Sequence, residues 1–232
     1  MQDHLQDALS RFADSPIEVI AAGRTDTGVH AHAQVVHFDT DVQRELNSWV
    51  RGPNACLGPA LRVVWSHEVP DDFHARYSAR TRTYRYLLLN DPVASAILRD
   101  RVGWFHKPLD IERMQEAVVS LIGEHDFTAF RASECQARSP IRHVLEARVE
   151  HERGLFVFSF RANAFLHHMI RNIVGSLVYV GAGRETPGWI AELLKARDRK
   201  LAAPTFSPAG LYLAAVEYDP SFGLPSFRGF SP

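Results

Sequence analysis

Cysteine is scarce in this chain: Cys56 and Cys135 are the only two in 232 residues. So few, so far apart, they exclude a disulfide framework and a paired-cysteine metal site, and they read as free thiols in a reducing compartment. Lysine is scarcer than it should be, with Lys107, Lys195 and Lys200 the only lysines among 26 basic residues. Positive charge is therefore carried by arginine, the residue suited to bidentate phosphate contacts and to stacking on bases. No apolar run is long enough to span a bilayer, and residues 1 to 20 carry no basic-then-apolar leader, so a soluble cytoplasmic protein with no membrane partner is expected. A strongly basic balance is missing too: the net charge is −1, and any binding of nucleic acid must rest on a local patch. What is present is ordinary for a folded protein, 46% hydrophobic and 23% charged residues, enough to bury a core as one large domain or two small ones.

Periodicity gives an alternating order of elements. "MQDHLQDALSRFA" reads as a helix with Leu5, Ala8, Leu9 and Phe12 on one face. "PIEVIAAG" and "AQVVHFD" read as strands on either side of a tight turn. A helix capped by Asp39, Thr40 or Asp41 is expected to run through Val50, with "GPN" at 52–54 ending it. "LRVVWSHEV" and "RTYRYLLLN" read as further strands. In the second half, "VGWFHKP" reads as a strand and "LDIERMQEAVVSLIGEHD" as a helix capped by Asp110 and stopped by Gly123. "IRHVLEARVEHERGLFVFSFRA" reads as a hairpin turning at Arg153 and Gly154. Asn163 is expected to cap a helix, Thr186 and Pro187 to open another that ends near Lys200, and "GLYLAAVEY" to close as a strand. Both halves thus follow the split βαβ order of a ferredoxin-like unit, the first without its opening strand. The expected fold is α+β: two ferredoxin-like halves, 1–104 and 105–232, with a mixed, mainly antiparallel sheet, helices on one face and an active-site cleft between the halves.

Three stretches carry chemistry. In "AAGRTDTGVHAHAQVVHF", Gly23 and Gly28 have the spacing of a phosphate loop, but Val29 and His30 stand where lysine and a hydroxyl are needed, which removes nucleotide binding. His30, His32 and His37 beside Asp26 invite a metal; His30 and His32 share a side of an extended chain while His37 faces the other way, so hydrogen bonding is the preferred reading and no metal is assigned. Asp26 by itself reads first as turn chemistry, aspartate being common in a Gly-flanked turn, and its neighbour Arg24 adds a small weight to the reading as a functional acid. In "AFLHHMIRNIVGSLVYVGAG" a broad apolar face leaves His168, Arg171, Asn172 and Gly175 on one narrow strip, which suits a cleft better than a solvated surface. Were Arg171 to reach Asp26, it would hold that side chain as a carboxylate, a nucleophile rather than a general acid. In "HARYSARTRTYRY", Arg76, Arg80, Arg82 and Arg85 stand among Tyr77, Tyr84 and Tyr86. That pattern fits a half-buried strand with a charged outer face and equally fits RNA contact, with Tyr84 and Tyr86 on one face.

Together "AGRTDTGVHAHAQVVHF", "DDFHARYSARTRTYRY", "FRASECQARSPIR" and "ANAFLHHMIRNIVGSL" resemble, in order, the signature blocks of tRNA pseudouridine synthase I, the TruA family. The resemblance spans nearly the whole chain, from about Gln2 to Tyr218. It implies isomerisation of uridine to pseudouridine at nucleotides 38, 39 and 40 in the anticodon arm of tRNA, with neither a metal nor an organic cofactor. It implies that Asp26 is the nucleophile, that Tyr84 packs on the uracil and is a candidate base for the C5 proton, and that Arg171 pairs with the aspartate. Arg24 matches an arginine associated with flipping the nucleotide; Arg76, Arg82 and His168 are taken as substrate-binding. Family members are homodimers whose basic clefts cradle tRNA, which accommodates a net charge near zero. The family normally opens with a strand and a G-W-Q segment of about thirty residues that this chain lacks, and a sheet without that strand would carry an unpaired edge. The alternative is therefore a truncated, catalytically inactive RNA-binding protein of the same fold.

Overall fold

A computed structural model describes residues 1–225 of the chain. They divide into two compact units, one made of Met1–Arg24, Gln34–Arg80 and a segment beginning at Val216, the other of Thr25–Ala33 with Thr81–Ala215.

In the first unit, α1 (Gln2–Ala13) packs on α2 (Leu46–Cys56). Leu5, Ala8, Leu9, Val19, Trp49 and Leu57 are buried together between them, with the Phe12 ring edge-on to Trp49. The helix α2 begins later than its sequence suggests and runs through Pro53. The breaker signal fails because "GPN" sits at the helix crossing: a Cβ at Gly52 would lie 2.1 Å from the Phe12 ring, so glycine there lets α1 approach. The strands expected around residues 16–23 and 33–39 shrink to β1 (Ile20–Ala21) and β3 (Val36–His37), an antiparallel pair. Side chains take the backbone groups that a longer ladder would use. Gln2 donates to the Val19 carbonyl at 3.0 Å, and the Val19 amide donates to Gln6 at 3.2 Å. "LRVVWSHEV" forms no strand for the same reason, since the Asn54 amide pairs with both the N–H and the carbonyl of Val63, at 2.9 and 2.7 Å. A side-chain amide that copies a peptide group competes directly with strand pairing.

The second unit holds the sheet β2-β9-β4-β8-β7-β6, with β5 (Gly103–Phe105) running parallel beside β4 (Thr81–Asn90). The outer members are β2 (His30–Ala31), parallel to β9 (Leu211–Glu217), and β6 (Gly123–Asp126), antiparallel to β7. The hairpin of β7 (Ile141–Glu152) and β8 (Leu155–Ala162) turns where the sequence places it, with Arg153 at φ 51° and Gly154 at φ 82°. Such consecutive positive φ values match the twist of the flanking strands. The inner strand β4 lies between β9 and β8, the place of the opening strand in a split βαβ unit, so "RTYRYLLLN" rather than "VGWFHKP" fills that role. The fold is α+β with a mixed, mainly antiparallel sheet, as expected.

Three helices complete this core: α3 (Ile111–Val118), α4 (Met169–Gly181) and α5 (Trp189–Ala196). Asp110 caps α3 as expected, accepting from the amides of Glu112 and Arg113 at 2.9 and 3.2 Å. Asn163 does not cap α4; its Oδ1 accepts from the amides of His143 and Ala164 instead, tying β7 to the end of β8. The helix starts six residues later, after His168 at φ 60°, a left-handed conformation unusual for a side chain of that size.

Candidate functional site

Asp26 occupies the first position of a turn closed by the Val29 amide, which donates to the Asp26 carbonyl at 3.0 Å. Gly28 adopts φ +83°, and a Cβ there would stand 3.1 Å from the Pro208 ring. The second glycine of the motif is thus required by backbone conformation and by close approach. The carboxylate is about four-fifths covered and receives nitrogens from three side chains. Arg171 Nη1 donates to Oδ2 at 2.8 Å, His167 Nε2 contacts Oδ1 at 3.1 Å, and His168 Nε2 lies 3.2 Å from Oδ2.

The left-handed turn at His168 explains how neighbours in sequence reach one carboxylate. It sets the two imidazoles face to face, 3.9 Å apart and tilted by 32°, immediately before the first turn of α4. Arg171 follows on that first turn, and its Nε donates to the Phe206 carbonyl at 2.8 Å, fixing the guanidinium plane. The remainder of the polar strip does not face a cleft. Asn172 is fully buried; it donates to the Phe130 carbonyl at 2.8 Å and accepts from Thr205 and Arg199 at 2.7 and 3.0 Å. Gly175 lets the Pro204 carbonyl press on α4, since a Cβ would meet that oxygen at 2.5 Å. These two residues anchor the segment whose Phe206 carbonyl positions Arg171.

Tyr84 belongs to the same unit, on β4, with its ring edge-on to Phe165 at 5.2 Å. Burial pushes its phenol up to about 12, the Asp26 charge adding to that rise and Arg82 opposing it. The phenol is therefore neutral near pH 7. Tyr86 is part of the core, its hydroxyl donating to the Ser207 carbonyl at 2.9 Å, and it is not available to a substrate. Burial, helped by the charges of His167 and Arg171 against the pull of Asp26, holds His168 below the ordinary histidine value. Arg82 donates to the Asn163 carbonyl at 3.0 Å. Arg24 and Arg76 are exposed and belong to the other compact unit.

Among the described residues, no cluster of potential metal ligands joins Asp26 to the histidines of the opening motif. His30 stacks on Tyr212 with centroids 4.6 Å apart and bonds the Asp100 carbonyl at 2.8 Å. The ligating atoms that do converge are those of Asp26, His167 and His168, all within 4.8 Å of one another. Arg171 already sits on that carboxylate, and its charge opposes a second cation there. His167 is the participant that sequence reasoning missed. The "HH" doublet is visible in sequence, but helical spacing puts only His168 with Arg171; what brings His167 in is the left-handed residue before α4, which no periodicity marks.

A carboxylate held by an arginine and two imidazoles, with a half-buried phenol in the same compact unit, is a constellation suited to nucleophilic or acid–base chemistry. The sequence profile of the family described as tRNA pseudouridine synthase matches residues 1–78 and 117–219. The chain is 56% identical over 225 residues to the tRNA pseudouridine synthase A of Dechloromonas aromatica (strain RCB), covering 97% of this chain and 86% of that protein. It is also 56% identical over 232 residues to that of Nitrosomonas eutropha, covering 100% and 84%, and 52% identical over 234 residues to that of Janthinobacterium sp. (strain Marseille), covering 98% and 86%. The chain belongs to the tRNA pseudouridine synthase family.

Proposed function

We propose that this protein is an isomerase that converts uridine to pseudouridine at nucleotides 38, 39 and 40 of the tRNA anticodon arm, with Asp26 as nucleophile. The observation that carries the reading is the Arg171–Asp26 contact of 2.8 Å, in a chain that belongs to the synthase family. The reaction breaks the N1–C1′ bond, forms a C5–C1′ bond, removes the proton from C5 and returns one to N1. Substrate and product have the same composition, so neither electrons nor a transferred group need come from a cofactor, and we assign none and no metal.

In this scheme Asp26 attacks the flipped nucleotide covalently through an oxygen of its carboxylate, while Arg171 holds the other oxygen. Oδ1 is the attacking atom, because Oδ2 is bound by Arg171 and approached by His168, whereas Oδ1 has the more exposed His167 beside it. Tyr84 packs on the uracil as a neutral phenol. Its removal of the C5 proton as phenolate is disfavoured by burial, so any such step requires the bound substrate to change its surroundings. His168 contacts the substrate beside Arg171, Arg82 and Arg76 bind the backbone, and Arg24 assists extrusion of the base, which costs on the order of a few kcal/mol. A second copy of the chain completes the cradle for tRNA, and the enzyme works in the cytoplasm. Incubation with an unmodified tRNA transcript, followed by chemical mapping, should show pseudouridine at 38, 39 and 40; an unmodified anticodon arm would refute the assignment.

A further inference from the structure

We propose that the turn Phe73–Ser78 is a preformed platform on which an unpaired base of the RNA stacks against Tyr77. The inference rests on the reading of the protein as a tRNA-modifying enzyme and adds to it a binding site built from residues other than the reacting carboxylate and its partners.

Tyr77 leaves 77% of its surface exposed, the largest exposure of any aromatic residue among the described ones. Exposure by itself is common on protein surfaces. Here it comes with a backbone that has almost no freedom left, because six consecutive amides each have a fixed acceptor. Phe73 donates to the Pro70 carbonyl at 2.9 Å and Ser78 to the His74 carbonyl at 2.8 Å. The His74 amide donates to Ser78 Oγ at 2.9 Å, and that of Ala75 to His37 Nδ1 at 3.2 Å. The amides of Arg76 and Tyr77 both donate to His74 Nδ1, at 3.1 and 3.2 Å. Phe73 and Ala75 are buried, and the Tyr218 hydroxyl donates to the Ala75 carbonyl at 2.6 Å, pinning the turn from below.

The rings are arranged for stacking. The His74 imidazole lies 4.3 Å from the Tyr77 ring, tilted by 32°, and the Arg76 guanidinium stands over that ring at 5.8 Å. An aromatic ring packed on a neighbouring imidazole and carried by a hydrogen-bonded turn loses less freedom when a base stacks on it, and a neighbouring arginine supplies the cation for the phosphate. A base that is paired within a duplex has no free face to offer, so the occupant is a nucleotide of a single-stranded loop.

The test compares binding of two probes, an unmodified tRNA transcript and a blunt RNA duplex, by the full-length protein and its variants. Tyr77→Ala should weaken binding of the tRNA by roughly 5- to 150-fold, the range that base–aromatic stacking spans, with the salt dependence unaltered and duplex binding little changed. Tyr77→Trp and Tyr77→Phe should restore affinity. Arg76→Ala should instead reduce the slope of log affinity against log salt by about 1. Tyr77→Ala removes an exposed side chain, and an unchanged thermal midpoint will confirm that the variant is folded. Equal tRNA affinity of Tyr77→Ala and wild type would overturn the platform, as would an equal loss on both probes or a loss of self-association in place of RNA binding. Failure of wild type to bind tRNA at all would refute the enzymatic reading rather than the platform alone.

Discussion

Arg171 spends one nitrogen on Asp26 and another on the Phe206 carbonyl, both at 2.8 Å, so its position is set by the backbone and its charge is delivered to the carboxylate. Arg171→Ala should lower pseudouridine formation by on the order of 10²-fold or more, as loss of an oriented electrostatic partner does. It should also cost roughly 1–3 kcal/mol of stability, less than a fully buried pair because both side chains retain some exposure. Urea unfolding and single-turnover rates would measure the two effects separately, and wild-type turnover would contradict the pairing role. His168 makes a prediction in pH. Its folded value lies below the ordinary 6.5, chiefly through burial. Between those two values the unfolded chain binds more protons at this position, so stability rises with pH through the window and is lost as pH falls through it. In His168→Asn the thermal midpoint should fall less steeply between about pH 7 and about pH 5; an unaltered slope would place the proton uptake elsewhere.

Among the elements, α4 is the one that organises the site. Its apolar face is buried with the sheet, while Asn172 and Gly175 fasten residues 199–206 against it. Gly175→Ala would drive a methyl group into the Pro204 carbonyl, a backbone atom that yields only by moving the segment. Overpacking of that kind should cost about 1–3 kcal/mol, and activity should fall with it because Phe206 moves with its segment. Thermal unfolding and turnover of Gly175→Ala would show this; a variant as stable and active as wild type would mean the segment is not coupled to Arg171. The apolar periodicity of α4 made the helix legible in sequence, and Asp110 and Gly154 marked a cap and a turn. The start of α4 was not legible, since Asn163 is a sound capping residue whose side chain is engaged by β7. Nor were the short strands of the first unit, where composition favours extended chain but Gln2, Gln6 and Asn54 satisfy the backbone locally. Propensity reports an extended backbone; only tertiary context reports whether it finds a strand to pair with.

At the scale of the molecule, the chain order and the compact units divide the protein differently. Thr25–Ala33, with Asp26, is grouped with Thr81–Ala215 and not with the residues on either side of it. Asp26 and Arg171 are 145 positions apart, a separation that no local pattern encodes, so the residues alone carry the pair only as a conditional and the resemblance to a family in which both occur supplies it. His167 escaped because its role depends on one left-handed residue. A net charge of −1 is compatible with RNA binding when arginines and aromatic rings are concentrated locally, as at Arg76, Tyr77 and Arg82.

The proposed reaction depends on Asp26. The most direct measurement is the release of tritium to water from tRNA labelled at C5 of uridine, with wild type and Asp26→Asn compared in single turnover. Asparagine keeps the size and shape of the side chain, loses its negative charge and replaces one acceptor oxygen by a donor nitrogen. Wild type should release tritium and Asp26→Asn none above the uncatalysed level, with tRNA binding retained; release by the variant at the wild-type rate would mean that Asp26 does not carry the reaction.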